Sequence, residues 1–336
     1  MNSIWRFLSL AVATALLIVL TNCAQTQNSN NSSQPSATDH SSPTMTTDQS
    51  HSSEEQININ TAILSELDKL EAKLGVPALS NKIQGSRPYG SIEELVSKKV
   101  ITPEQLDQIK DMVTVQDVVL TGEAKDIDYM TKLGLMKGHL LVAKELLDLG
   151  QPKDAEPHIG HPVEEIYADV EEQFQERNVP EFKTTLLGLQ DLVKSKPKDA
   201  KVATQFQESV QAVDNAIGGL PQQQRQSPAF VLKVINGLLE TAASEYQAAI
   251  ANGKISAAIE YQDSRGFVSY ADTLYNSISE QMAKEHPDAH QAIANSLSKL
   301  KTAWPAVQPP AAPVLSPEQV TQLIKTVEQN SQKALQ

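Results

Sequence analysis

Three of the chain's seven histidines fall in one stretch, GHLLVAKELLDLGQPKDAEPHIGHPVEEIY, residues 138–167. His158 and His161 are three apart, so one helical turn can aim both imidazoles at a single ion. Glu164 and Glu165 follow His161 at i+3 and i+4. Gly150-Gln151-Pro152 breaks the pattern, and a fold-back centred near Gln151 sets His139 opposite His161 and Glu164. Two imidazoles and a carboxylate form a ligand set suited to Zn²⁺, Cu²⁺ or iron. The metal candidates are therefore His139, His158, His161 and Glu164. The same residues also read as an ordinary helix start, with Pro162 at the first helical position and acids in the first turn. His161 is then a cap and His139 a polar group on a packed face.

A second cluster holds Glu240, Glu245, Tyr246, Glu260, Tyr261, Asp263 and Arg265, on two predicted helices joined at Asn252-Gly253. Carboxylates on facing helices can hold metals. Glu240 and Glu245 are five apart and do not share a helix face, so ion pairing on a solvated surface is the expectation here. His286 and His290 sit in polar surroundings and are expected to be exposed. No Gly-x-Ser-x-Gly, P-loop or Gly-x-Gly-x-x-Gly occurs, and a non-enzymatic protein is expected.

These residues must be positioned by helices. Aromatics are only 4% of the 336 residues, so the core rests on Leu, Ile, Val and Ala, as in helix packing. Helical spacing predicts helices over 130–149, 162–175, 181–195, 200–217, 228–252, 255–285, 286–300 and 317–334, with breaks at Gly and Pro. No segment alternates long enough to predict a strand. The expected fold is all-α, a small N-terminal helical module before a larger α-helical bundle. Residues 140–158 faintly resemble one tetratricopeptide-like hairpin. The balance of 28 Lys and Arg against 41 Asp and Glu gives a net charge of −13, which excludes a general nucleic-acid coat.

The N-terminus carries Arg6, a largely apolar run over 7–20 and then Leu20-Thr21-Asn22-Cys23, with the chain's single Cys. The run is too short to span a bilayer with ease. The pattern resembles a bacterial lipoprotein signal, departing from it at Asn22, where Gly, Ala or Ser is favoured. The resemblance implies cleavage before Cys23, lipidation of its thiol, and a place in the cell envelope, periplasmic or facing the outer membrane. Residues 24–56 are rich in Ser, Thr, Asn and Gln and read as a disordered tether that includes His40 and His51. Its reach is about 30 Å.

Residues 57–117 show apolar residues at helical spacing, among them Leu67, Leu70, Leu79, Ile83, Leu95 and Ile109. Ser91 with Glu94 forms a capping-box pattern, and Thr102 with Pro103 marks another helix start. The opening Ile-Asn-Ile-Asn-Thr-Ala, the turn Leu74-Gly75-Val76-Pro77-Ala78, the link Arg87-Pro88-Tyr89-Gly90-Ser91 and the closing Asp111-Met112-Val113-Thr114 resemble the ComEA-like helix-hairpin-helix domain. PsbU is similar to the same fold. The resemblance implies weak, sequence-independent DNA binding through backbone amides at Gly75, Val76 and Ala78 with Lys82, extended by Lys98 and Lys99, or docking of a partner protein. Where the family's second hairpin has Gly-Ile-Gly-Pro, this chain has Val100-Ile101-Thr102-Pro103, so one phosphate nest loses its glycine. The module carries seven basic and nine acidic residues.

The segments expected are a signal peptide (1–23), a tether (24–56), a helix-hairpin-helix domain (57–117), a helical bundle (125–304), a Pro-rich linker (305–316) and a C-terminal helix (317–336). Two functions follow. One is a membrane-anchored binding lipoprotein that holds DNA weakly or docks a partner. The other is a metal-handling envelope protein centred on the histidine stretch. His161-Pro-Val-Glu164 is also similar to the His-x-x-Glu element of imelysin-like helical envelope proteins.

Overall fold

The computed structural model describes residues 56–62, 64–116 and 120–336. Cys23, His40, His51, the signal-like run and nearly all of the tether lie outside the described residues.

The first module is built from α1 (Leu64–Leu74), α2 (Leu79–Gly85), α3 (Glu94–Ser97) and α4 (Pro103–Ile109). Its ends are joined by two short parallel strands, β1 (Ile57–Asn58) and β2 (Val113–Thr114). Leu67, Leu70, Leu79, Ile83, Leu95 and Ile109 form its core, as their spacing requires. Thr102 and Gln105 make a reciprocal capping box at α4. The Ser91–Glu94 box does not form, because α3 starts later, after Glu93, which has no side-chain cap bond. Arg87 donates to the carbonyls of Ile59 (2.8 Å) and Ala62 (2.6 Å), tying the link to the module's N-terminus. Asn60 and Tyr89 exchange two further hydrogen bonds.

The larger region begins with α5 (Gly122–Asp148) and α6 (Pro152–His161), which form an antiparallel hairpin. A π-helical turn (Pro162–Ile166) then leads into α7 (Tyr167–Glu176) without a break. The helix expected to start at Pro162 thus starts ten residues earlier. Pro162 has no N–H to give the preceding turn, and the chain widens there instead of stopping. Next come α8 (Lys183–Ser195), α9 (Lys201–Ile217) and the single turn α10 (Gln222–Arg225). A four-helix bundle follows, of α11 (Pro228–Ala248), α12 (Ala258–Glu285), α13 (Pro287–Leu300) and α14 (Pro317–Ala334). A two-residue hairpin, β3 (Ile250–Ala251) with β4 (Lys254–Ile255), turns α11 into α12 through Asn252 and Gly253, both at positive φ.

The segment between α13 and α14 is packed against the bundle. Val307 is buried, and Tyr261 and Tyr246 donate hydroxyl hydrogen bonds to the carbonyls of Ala306 and Leu315. α14 buries Val320, Ile324 and Val327, so it belongs to the bundle, not to a separate tail. No described helix is long and apolar enough to cross a membrane.

α5 crosses α12 where two glycines meet. A Cβ on Gly266 would lie 2.3 Å from the Gly138 carbonyl oxygen, so only glycine permits this approach. Arg265 beside it forms a two-pronged pair with Glu145 at 3.0 and 3.1 Å. Gly266→Ala is expected to destabilise the fold by about 2–3 kcal/mol through overpacking, measured by denaturant unfolding. A substitution elsewhere on α12 that fills open space should not.

Candidate metal centre

The glycine crossing sets what lies next to it in sequence. His139 follows Gly138 on α5, and Asp263 precedes Gly266 by three on α12. With the backbones in contact, His139 Nδ1 comes 2.7 Å from Asp263 Oδ1. α6 brings in His158, whose Nδ1 is also 2.7 Å from that oxygen. One turn on, His161 Nδ1 lies 3.4 Å from Asp263 Oδ2. His139, His158 and Asp263 are 4%, 0% and 3% exposed, so their charges and lone pairs must be satisfied inside the protein.

The hydrogen bonds assign the proton of His158. Gln262 donates its amide N–H to the Val307 carbonyl at 3.2 Å, so its oxygen is left to accept from His158 Nε2 at 2.9 Å. A neutral His158 then carries its proton on Nε2 and turns a bare Nδ1 lone pair toward the carboxylate. That contact needs a proton or a metal ion between the two. His139 Nδ1, for all its closeness to Asp263 Oδ1, makes no hydrogen bond of good geometry. One atom each from His139, His158 and Asp263 fall within 4.8 Å of one another. The orphaned imidazole nitrogen and the mixed N/O donor set fit a transition-metal ion.

The electrostatics agree. Burial holds His139 below the ordinary imidazole range, favouring the neutral ligand form. Burial alone would raise Asp263, but His139 and His158 hold it well below the usual carboxylate range, so it is an anion. Burial also opposes charge on His161, yet Asp263, Glu165 and Glu164 outweigh it and lift the imidazole to about 9.

Three of the four predicted ligands converge. Glu164 does not join them. It is exposed, and Glu165 lines the cleft instead. The π-turn is the reason: a wider turn moves the residue below His161 from i+3 toward i+4. Burial and the neighbouring Asp263 and Glu164 push Glu165 up to about 7. Asp263 and Glu245 were assigned by sequence to a solvated face, and both are buried; Gln262, which sequence reasoning did not single out, is buried as well. The available signal was a glycine one position from His139 and another three from Asp263, the marks of a close helix crossing. His286 and His290 are half-buried, with His290 stacked on Tyr275 and bonded to its hydroxyl at 2.9 Å.

The centre opens into a cleft of about 540 Å³ whose opposite wall is the first hairpin of the N-terminal module. Gly75, Val76 and Ala78, the residues implied to hold phosphate, line it. The hairpin's amides are already engaged in part: of those three, Ala78 N–H donates to Glu71 Oε1 at 2.8 Å, and the nearby Ser80 N–H donates to Glu71 Oε2 at 3.3 Å. Glu71 thus stands where a phosphate oxygen would. Lys69 pairs with Glu240 of α11 at 2.9 Å, and Gln247 donates to the Ala72 carbonyl at 2.6 Å. Lys82 is exposed, and Lys98 is tied to Glu94 and to the carbonyls of Ser86 and Pro88.

Two family matches agree with this division. Residues 52–114 match the helix-hairpin-helix motif, and residues 221–336 match the iron permease-associated 4-helix bundle domain. The second match covers α11 to α14, and so Asp263, while the three histidines precede it. No curated protein and no solved structure matches the chain. The protein is therefore a helix-hairpin-helix module followed by a larger helical region that ends in a bundle similar to the iron permease-associated domain.

Asp68 is also pushed up to about 7, mainly by burial and then by Glu71, Glu260 and Glu165. Asp68, Glu165 and His161 all hold protons more tightly folded than unfolded, so their stabilising contribution is lost as pH rises. The depressed His139 works in the opposite sense only below about 6.5, its ordinary value. The melting temperature of the metal-free protein is expected to fall from pH 6.5 to 8, measured by calorimetry, and Glu165→Gln should flatten the slope.

Proposed function

We propose that this protein is an exported, lipid-anchored, non-enzymatic carrier of a divalent transition-metal ion, held by His139, His158 and Asp263 with His161 and Glu165 beside them. The observation that carries this reading is the pair of imidazole nitrogens set on one buried carboxylate oxygen, one of them without a hydrogen bond. Gln262 would orient His158 from behind. Zn²⁺, Cu²⁺ and Fe²⁺ all accept this donor set. The likeness of residues 221–336 to an iron permease-associated domain favours iron as cargo and a membrane permease as partner. The lipoprotein-like Cys23 would keep the carrier at the envelope membrane, with the tether giving it reach.

Binding is tested on the full chain in detergent, by metal analysis and thermal shift with Zn²⁺, Cu²⁺ and anaerobic Fe²⁺. One ion per chain is expected at the histidine centre, with stabilisation of about 2.7 kcal/mol at a hundredfold excess over Kd. His158→Gln and Asp263→Asn should each abolish it. A chain that neither retains nor is stabilised by any of the three ions overturns the proposal.

The helix-hairpin-helix module serves on this reading as a wall of the metal cleft, a partner found within the same chain. Glu71 occupying the hairpin amides supports that role over DNA binding, as does the module's excess of acid. The full chain is expected to show no salt-dependent retention of duplex DNA at 150 mM salt (about physiological ionic strength) in a mobility-shift assay. Retention that Lys82→Glu abolishes would restore the DNA reading.

A further inference from the structure

The helix-hairpin-helix module stands across the cleft that leads to His139, His161 and Asp263. His139, His158 and Asp263 lie almost wholly out of solvent, so the cleft is the approach by which an ion would reach or leave them. The module's packing is its own. Its apolar core is distinct from that of the helical region, and no apolar residue between 57 and 115 packs into the larger core. The bonds across the seam are polar. Lys69 pairs with Glu240, and Gln247 donates to the Ala72 carbonyl. On the module's other side, Glu66 lines a small cleft with Lys132, Asp128 and Asp169, where Lys132 is paired to both aspartates. Parts of a chain joined by a polar seam are expected to move relative to one another, because only a large apolar interface would lock them. Within the module, Glu71 ties the Ala78 and Ser80 amides and so stiffens the hairpin, and the module can move whole. It meets α5 at a helix end, where Gly122 has φ +58°, and element ends are where hinges absorb rotation.

We propose that the helix-hairpin-helix module is a lid on the metal cleft. Seated by the Lys69–Glu240 pair, it slows both entry and exit of the ion, and it swings away as a unit to let the ion pass. This rests on the metal reading above and adds its gating. A lid that must open for either direction changes both rates by the same factor and leaves the equilibrium affinity alone. Glu240 is the member of the pair on which to act. Its side chain is 63% exposed and does not line the cleft, so it acts on ion exchange only through the module.

The probe is Zn²⁺ on the full chain in detergent, at about 20 mM salt, where the seam is screened least. Stopped flow follows release into an excess of a chromophoric chelator and uptake from a limiting amount of it. Glu240→Lys sets two cations against each other across the seam and should speed release and uptake alike, by about fivefold, with Kd within about twofold of the unsubstituted chain. Adding Lys69→Glu restores an opposite-charge pair in reverse order, and both rates should return to within about twofold of their starting values. The proposal is overturned if Glu240→Lys leaves either rate within twofold, since release that rises without uptake marks a loosened centre and not an uncovered one. It is overturned equally if the charge-swapped chain stays as fast as Glu240→Lys alone. An unsubstituted chain that retains no Zn²⁺ would instead overturn the metal reading, and the lid with it.

Discussion

A carboxylate buried at the crossing of three helices is the constraint around which this protein is arranged. Asp263 is 3% exposed and ionised, and an isolated charge at that depth would cost several kcal/mol. The fold answers by ringing it with imidazoles from α5 and α6, brought close by the contact of Gly138 with Gly266. The surroundings follow from the same need. Gln262 fixes His158, Val307 fixes Gln262, and Val307 is placed by the Pro-rich segment packed across α12. A stretch that reads as a linker is in fact the outermost layer of support for a histidine.

The hairpin module shows how one backbone feature can change its use. A helix N-terminus with free amides attracts an anion, whatever its source. Here the anion is Glu71, one helix away in the same module. That contact closes the turn, and the module is then joined to α11 through Lys69 and Gln247. The acidic balance that weakens a hold on phosphate suits a wall of the carboxylate-lined cleft.

Much of the fold was legible because its signals are local. The α8, α9, α13 and α14 spans end within two residues of their spacing-based limits, since Gly and Pro act on their own turns. Convergence of His139 with His161 was legible too, because a fold-back near Gln151 is a matter of counting. What escaped were non-local facts. Sequence spacing cannot show that Asp263, more than one hundred residues away, enters the same site. Nor could it show that Pro162 would be absorbed by a π-turn, which turned Glu165 inward in place of Glu164. Tyr275 taking up His290 is likewise a tertiary contact without a local mark.

The division of ligands between regions carries a last consequence. The segment matching the iron permease-associated bundle contributes only oxygen donors to the cleft: Asp263, Glu245 and Glu260. Every imidazole at the centre comes from α5 and α6, which lie before that segment. The bundle alone would therefore line the cleft with carboxylates and no imidazole. The α5–α6 hairpin adds His139 and His161 to that cleft, and the helix-hairpin-helix module lines its other wall with Asp68. The chain's three parts thus meet at one cleft, whose lining changes from imidazole-bearing at the buried histidines to carboxylate-bearing at the hairpin wall.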